Sequence, residues 1–268
     1  MTSAFGAEDG VGKPGDRTRA ASTQVPSRID PGHRLLVALD VDSAERALAI
    51  AEQVRGLAGG LKVGSRLFTM AGPDLVRRLV DSGARVFLDL KFHDIPNTVA
   101  QAVDAAVRTG AWMIDVHASG GAAMMRAAAR AAADAAATTG VQPPLVIGIT
   151  VLTSMDETSL QQTGVARPLV DHVLALARMA QSAGLHGVVA SPQETAAIRQ
   201  ACGPDFAIVT PGIRGASAGQ DKNDQSRTLG PAEAVKAGAT YIVVGRPIIA
   251  APDPRVAAQA IVEDLNAI

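Results

Sequence analysis

The chain has 268 residues, enough for two small domains or one large one, and its 25 Lys and Arg against 26 Asp and Glu leave a formal charge of −1. That balance gives no strong field to recruit nucleic acid or an anionic membrane, and 3% aromatic residues offer little to stack on single-stranded bases. Cys202 is the single cysteine, so an internal disulfide is excluded, which suits a reducing cytoplasm. Beside a Gly-Pro turn, this thiol is assigned no chemistry.

The first 32 residues, rich in Gly, Ser, Thr and Pro, have no hydrophobic periodicity. They have no signal-peptide core, and their scattered acids do not fit a transit peptide. They are expected to form a disordered extension outside the fold. No apolar run in the chain approaches the roughly 20 residues of a membrane-spanning helix.

From Arg34 onward, short apolar runs alternate with helical stretches. In order the runs are RLLVALD (34–40), LKVGS (61–65), RVFLDLKF (85–92), WMIDVHA (112–118), LVIGIT (145–150), GVVAS (187–191), AIVTPGI (207–213) and YIVVGRP (241–247). Each is short, often β-branched and bounded by Gly, Pro or Ser, the pattern of a buried strand. The intervening segments carry Ala, Leu and Arg at helical spacing. The first is opened by Asp42 with Glu45 three residues later, which predicts a capping box. AGA and SGA turns put glycine where a left-handed helix end needs it. Eight strands, each followed by a helix, predict a single (β/α)8 TIM barrel over residues 33–268. No G-x-G-x-x-G follows the first run, so an open dinucleotide-binding sheet lacks its main support.

Strand parity then aims the charges. In RVFLDLKF, Val86, Leu88 and Leu90 share one face, while Phe87, Asp89 and Lys91 share the other. The apolar set suits the helix-covered outside, so Asp89 and Lys91 point inward at the C-terminal mouth. Asp40 ends the first strand in the same sense, and Lys62 sits near the mouth end of the second. Four charges of alternating sign therefore converge on the face where barrel active sites lie. The competing explanation is an ion-pair network that only braces the barrel. TPGIR (210–214) and VGRP (244–247) end the seventh and eighth strands, where barrels bind phosphate with backbone N–H groups and a cation. Gly212 and Gly245 allow close approach there, and Arg214 or Arg246 can hold a phosphate.

VALD, LKVG, FLDLKFHDIPNTV, VHASGG, TVLTS, VTPGIR and GRPI, in this order, closely resemble the orotidine 5′-phosphate decarboxylase family, in particular its bacterial branch. The resemblance runs from about Arg34 to the C-terminus. It implies decarboxylation of orotidine 5′-monophosphate to uridine 5′-monophosphate, the last step of de novo pyrimidine synthesis, with no metal or organic cofactor. Lys91 would protonate C6 as carbon dioxide leaves, Asp89 would stand beside the substrate carboxylate, and Lys62 and Asp94 would complete the charged array. Asp40, with Lys62, would bind ribose hydroxyls, and Thr153 the pyrimidine edge. Arg214, Gly245 and Arg246 would hold the phosphate, and Gln225 would close over it from a flap. The resemblance also implies a cytoplasmic homodimer in which Asp94 and Thr98 reach into the partner's site.

Other readings compete at several of these positions. Thr98 with Gln101 also fits a helix capping box. Asp115 and His117, two apart at the end of the fourth strand, could ligate a cation, as in a Mg²⁺-dependent sugar-phosphate decarboxylase on the same barrel. A Schiff-base aldolase would need Lys91 or Lys62 at a lowered pKa, which the neighbouring aspartates oppose. A silent nucleotide-binding barrel would have no need of Lys91. His93 is given no proton-transfer role.

Overall fold

A computed structural model of the chain describes residues 29–213 and 229–268. Eight parallel strands pair in chain order: β1 (Leu35–Ala38), β2 (Gly60–Gly64), β3 (Val86–Phe92), β4 (Met113–His117), β5 (Leu145–Ile149), β6 (Gly187–Val189), β7 (Ala207–Thr210) and β8 (Tyr241–Val244). β8 returns to pair with β1, which closes the sheet into a (β/α)8 barrel. The outer ring is built from α1 (Ala44–Gln53), α2 (Ser65–Asp81), α3 (Pro96–Val107), α4 (Gly121–Thr139), α5 (Glu157–Gln162), α6 (Leu169–Ser182), α7 (Thr195–Cys202), α8 (Pro231–Lys236), α9 (Arg246–Ile249) and α10 (Pro254–Asn266). No helix among the described residues is long and apolar enough to cross a membrane.

The two faces of each strand part as alternation requires. Leu35, Val37, Val86 and Leu88 join the layer between strands and helices, whereas Leu36, Ala38, Phe87 and Met113 fill the barrel. A fully buried Leu such as Leu36 contributes about 1.5–3 kcal/mol through its burial. The N-terminal end is shut by Trp112, packed edge-on against Tyr241 at 5.4 Å, with the Arg85 guanidinium 4.5 Å from its ring centre. Ile29 also packs against the inner cluster. Among the described residues, the barrel's large cavity lies at the C-terminal ends of its strands.

Several paired strands stop before the apolar runs do. β1 ends at Ala38, two residues short of Asp40, and β8 ends at Val244, before Gly245. The last residues of these runs leave the ladder to form the mouth, so a run marks strand plus functional loop. Two expected helix caps are also displaced. Ser43, not Asp42, caps α1, accepting from the Arg46 N–H at 3.2 Å. α3 starts at Pro96 with Ile95 before it and no side-chain cap, so Thr98 lies inside the first turn and forms no capping box. Proline there supplies the helical φ, and the N–H it lacks is one that the first turn leaves unpaired anyway. The glycine turns hold: Gly83 of SGA and Gly238 of AGA have φ of 88° and 112°.

Candidate active site

The site begins with registry between β1, β2 and β3. Ala38 lies opposite Lys62, and Gly64 lies opposite Asp89. Lys62 therefore stands between two carboxylates, 3.0 Å from Asp89 Oδ2 and 3.5 Å from Asp40 Oδ1. The Lys91 ammonium donates to the other oxygen of Asp89. The result is an alternating row, Asp40–Lys62–Asp89–Lys91, drawn from three strands. Its centre is buried, with the Lys62 and Asp89 side chains 12% and 11% exposed, while Lys91 at the open end is 37% exposed.

The electrostatics follow from this order. Burial opposes the charge on Lys62, but Asp89 and then Asp40 overcome it and raise its pKa. Burial likewise opposes ionisation of Asp89, yet Lys62, the neighbouring Asp115 side chain and the Lys91 ammonium hold its carboxyl far below the usual range. Lys62 is thus a fixed ammonium, unlike the amine nucleophile of a Schiff-base enzyme. Gly64 makes room for the row, since a Cβ there would stand 3.1 Å from Lys62 Nζ and 3.4 Å from Asp40 Oδ1. Sequence reading missed Gly64, whose only signal is a small residue at the end of the strand that carries Lys62.

Lys91 is reached through an irregularity. Between Leu88 and Phe92 on β3 the pairing with β4 shifts, and Lys91 has φ of 52°. Its backbone N–H donates to Asp115 Oδ1 at 2.8 Å. Asp115 is fully buried, so it does not stand open at the mouth as its spacing from His117 suggested. Burial first, and then the charge of Asp89, push its carboxyl well above the usual carboxylate range. His117 faces the ring of His93 at 5.1 Å, and burial, with His93 and Lys91 nearby, lowers its pKa. Among the described residues no three His, Cys, Asp or Glu side chains gather as a metal site would need.

Asp40, Lys62, Asp89 and Lys91 border a cavity of about 550 Å³. Ala38, Phe87, Ile149, Val209 and Val243 form an apolar floor, the charged row forms one wall, and Thr153 lines another part. Across the mouth lie Gly212, with φ of 79°, and the pair Gly245 and Arg246 at the start of α9. A Cβ on Gly245 would stand 3.5 Å from the Ala38 Cβ and 3.8 Å from Asp40 Oδ2, both ordinary contact distances. Arg214 and Gln225 lie outside the described residues. Asp94 and Thr98 are exposed and do not border the cavity of their own chain. The Asp94 carboxylate accepts from the adjacent Ile95 N–H at 2.6 Å, and Ile95 is 65% exposed. The cavity can therefore receive a flat apolar group on its floor and an anion at Gly245–Arg246, with an ammonium at its charged wall.

Residues 33–261 match the family model described as "Orotidine 5′-phosphate decarboxylase / HUMPS family". The chain belongs to this family. Among its relatives, the orotidine 5′-phosphate decarboxylase of Syntrophotalea carbinolica is 52% identical over 89% of this chain and 97% of its own. That of Moorella thermoacetica is 49% identical over 89% of this chain and 94% of its own. In three dimensions, the crystal structure of orotidine 5′-phosphate decarboxylase from Lactobacillus acidophilus matches 87% of this chain and 98% of that one, with a TM-score of 0.76 and 36% identity. Family membership thus spans the whole barrel, from the strand-end charges to the loops after β8.

Proposed function

We propose that the chain decarboxylates orotidine 5′-monophosphate to uridine 5′-monophosphate as the last step of pyrimidine synthesis. The observation that carries this reading is the Lys91 ammonium held by Asp89 at the wall of an apolar-floored cavity, with Gly245 and Arg246 across the mouth. The pyrimidine would rest on the floor, its phosphate at Arg246 and Arg214, its ribose at Asp40 and Lys62, and its edge at Thr153. Gln225 would cover the bound nucleotide.

In this reading the bond between C6 and the carboxylate breaks and its electron pair remains on C6. The fixed Lys91 ammonium stabilises that charge as it develops and then delivers a proton to it, leaving a neutral amine that solvent reprotonates. Asp89 restrains Lys91 from simply pairing with the substrate carboxylate. No cofactor is required, because charge stabilisation and proton supply come from the same side chain. Asp94 and Thr98 would act in the site of a second copy, making the functional unit a homodimer with shared sites. Their exposure beside the apolar Ile95 supports this. The compartment in this reading is the cytoplasm, where a charged nucleotide is made and used.

The test is turnover of orotidine 5′-monophosphate by the purified chain with EDTA present, followed as loss of substrate absorbance. Chelator-resistant turnover supports the proposal. Turnover that returns only with Mg²⁺, or activity only on a phosphorylated keto-acid sugar, replaces it with the metal-dependent sugar-phosphate decarboxylase that shares this barrel.

A further inference from the structure

Lys91 is the one residue other than glycine with a positive φ among the described residues. A left-handed backbone costs a non-glycine residue about 1–2 kcal/mol, so something must hold it there. The pairing of β3 with β4 shows why the strain arises. Leu88 lies opposite Ile114, and Phe92 lies opposite Val116. Three residues of β3 therefore bulge against the single residue Asp115. Within such a bulge the ladder hydrogen bonds are broken and N–H groups are left to find other acceptors. The Lys91 N–H finds the carboxyl of Asp115, from the neighbouring strand, at 2.8 Å.

We propose that Asp115 is a positioning residue that sets where the Lys91 ammonium stands, by capping the strained Lys91 backbone from β4. This rests on the decarboxylase reading for its kinetic consequence, though not for the contact itself. Three further observations support it. Asp115 is fully buried, so it is shielded from exchange of its partners with water. Its Oδ2 is buried with no N–H or O–H donor from another residue, which leaves that oxygen to carry a proton. Burial and the charge of the nearby Asp89 carboxylate favour the neutral acid. A protonated Asp115 accepts from the Lys91 N–H and has a proton to turn toward Asp89, which would touch both ends of the lysine's setting. It fixes Lys91 through its main chain and Lys91's counter-ion through its side chain, without itself lining the cavity.

The test compares Asp115→Leu, similar in shape but unable to hydrogen-bond, with Asp115→Asn, which offers the same acceptor to Lys91 and an N–H to Asp89. Leucine is expected to lower kcat about 100-fold, the scale of a catalytic group displaced by about 1 Å. KM should change little, because the phosphate and ribose contacts lie elsewhere. Asparagine is expected to rescue kcat. Equal kcat in the leucine variant and wild type, or no rescue by asparagine in a folded protein, would overturn the proposal. Amide hydrogen exchange at Lys91 in the wild type needs neither the leucine variant to fold nor any turnover. Strong protection supports the cap, and exchange as fast as an exposed loop overturns it. A wild type that protects this amide yet does not turn over the nucleotide would refute the decarboxylase reading and leave the contact standing.

Discussion

Replacing Asp89 by asparagine removes the one negative charge that both lysines share. At 3.0 Å from Lys62 Nζ, with an effective dielectric of about 20, the lost attraction is about 5.5 kcal/mol before solvation is counted. Returning the carboxylate to water recovers several kcal/mol of that. Lys62 remains 88% covered, judging from its 12% exposure, but keeps Asp40 at 3.5 Å, so it is not left wholly unpaired. The net cost should fall at the low end of the range for breaking a buried pair, about 3 kcal/mol. The sign with pH is fixed by Asp89, whose folded pKa lies below its ordinary 3.8. Its stabilisation is complete above that value and is lost as pH falls toward the folded one. Urea denaturation of wild type and Asp89→Asn at one protomer concentration should show the full gap at pH 7. Below about pH 4 the gap should narrow, by up to about 1.4 kcal/mol per pH unit. A gap that is absent at pH 7, or that is unchanged between pH 6 and 3, would refute the electrostatic account of the row.

Two other substitutions test separate walls of the cavity. In Gly64→Ala the new methyl group crowds Lys62 Nζ at 3.1 Å while the backbone, with φ of −91°, stays comfortable. Activity should fall by about tenfold, roughly 1.4 kcal/mol of misplaced charge, with a melting temperature close to wild type; a matching drop in melting temperature would show that the glycine serves packing instead. Arg246→Ala should raise KM for the nucleotide by about 10–100-fold, the loss of charge-assisted hydrogen bonds worth about 1.5–3 kcal/mol. Binding of the unphosphorylated nucleoside should be unaffected, and equal losses for both ligands would remove Arg246 from the phosphate site.

Much of this was readable from local pattern. Alternation along β3 separated Val86 and Leu88 from Phe87 and Asp89, because a strand buried under helices tolerates charge only at its end. The rule stopped working at Lys91. Parity put it inside, and it does reach Asp89, but it arrives through a bulge that parity cannot express. Asp115 shows the same limit from the other strand. As part of D-x-H it looked like an open ligand, and only the shifted register of β3 against β4 reveals that it is buried under Lys91. Ser43 makes the cap expected of Asp42, and α3 starts on Pro96 with no side-chain cap, shifts of a residue or two that local pattern does not resolve. Asp94 and Thr98 carried the sequence resemblance, and they do not join their own chain's cavity.

The most direct measurement of the central claim is single-turnover decarboxylation of orotidine 5′-monophosphate by wild type and Lys91→Ala, with EDTA present and nucleotide binding measured in parallel. The account predicts chelator-resistant turnover in the wild type and, in the variant, nucleotide still bound with the chemical step collapsed by at least about 10⁴-fold, the combined loss of charge stabilisation and proton supply. A folded Lys91→Ala protein that binds the nucleotide and still decarboxylates it at a rate near wild type would contradict the account.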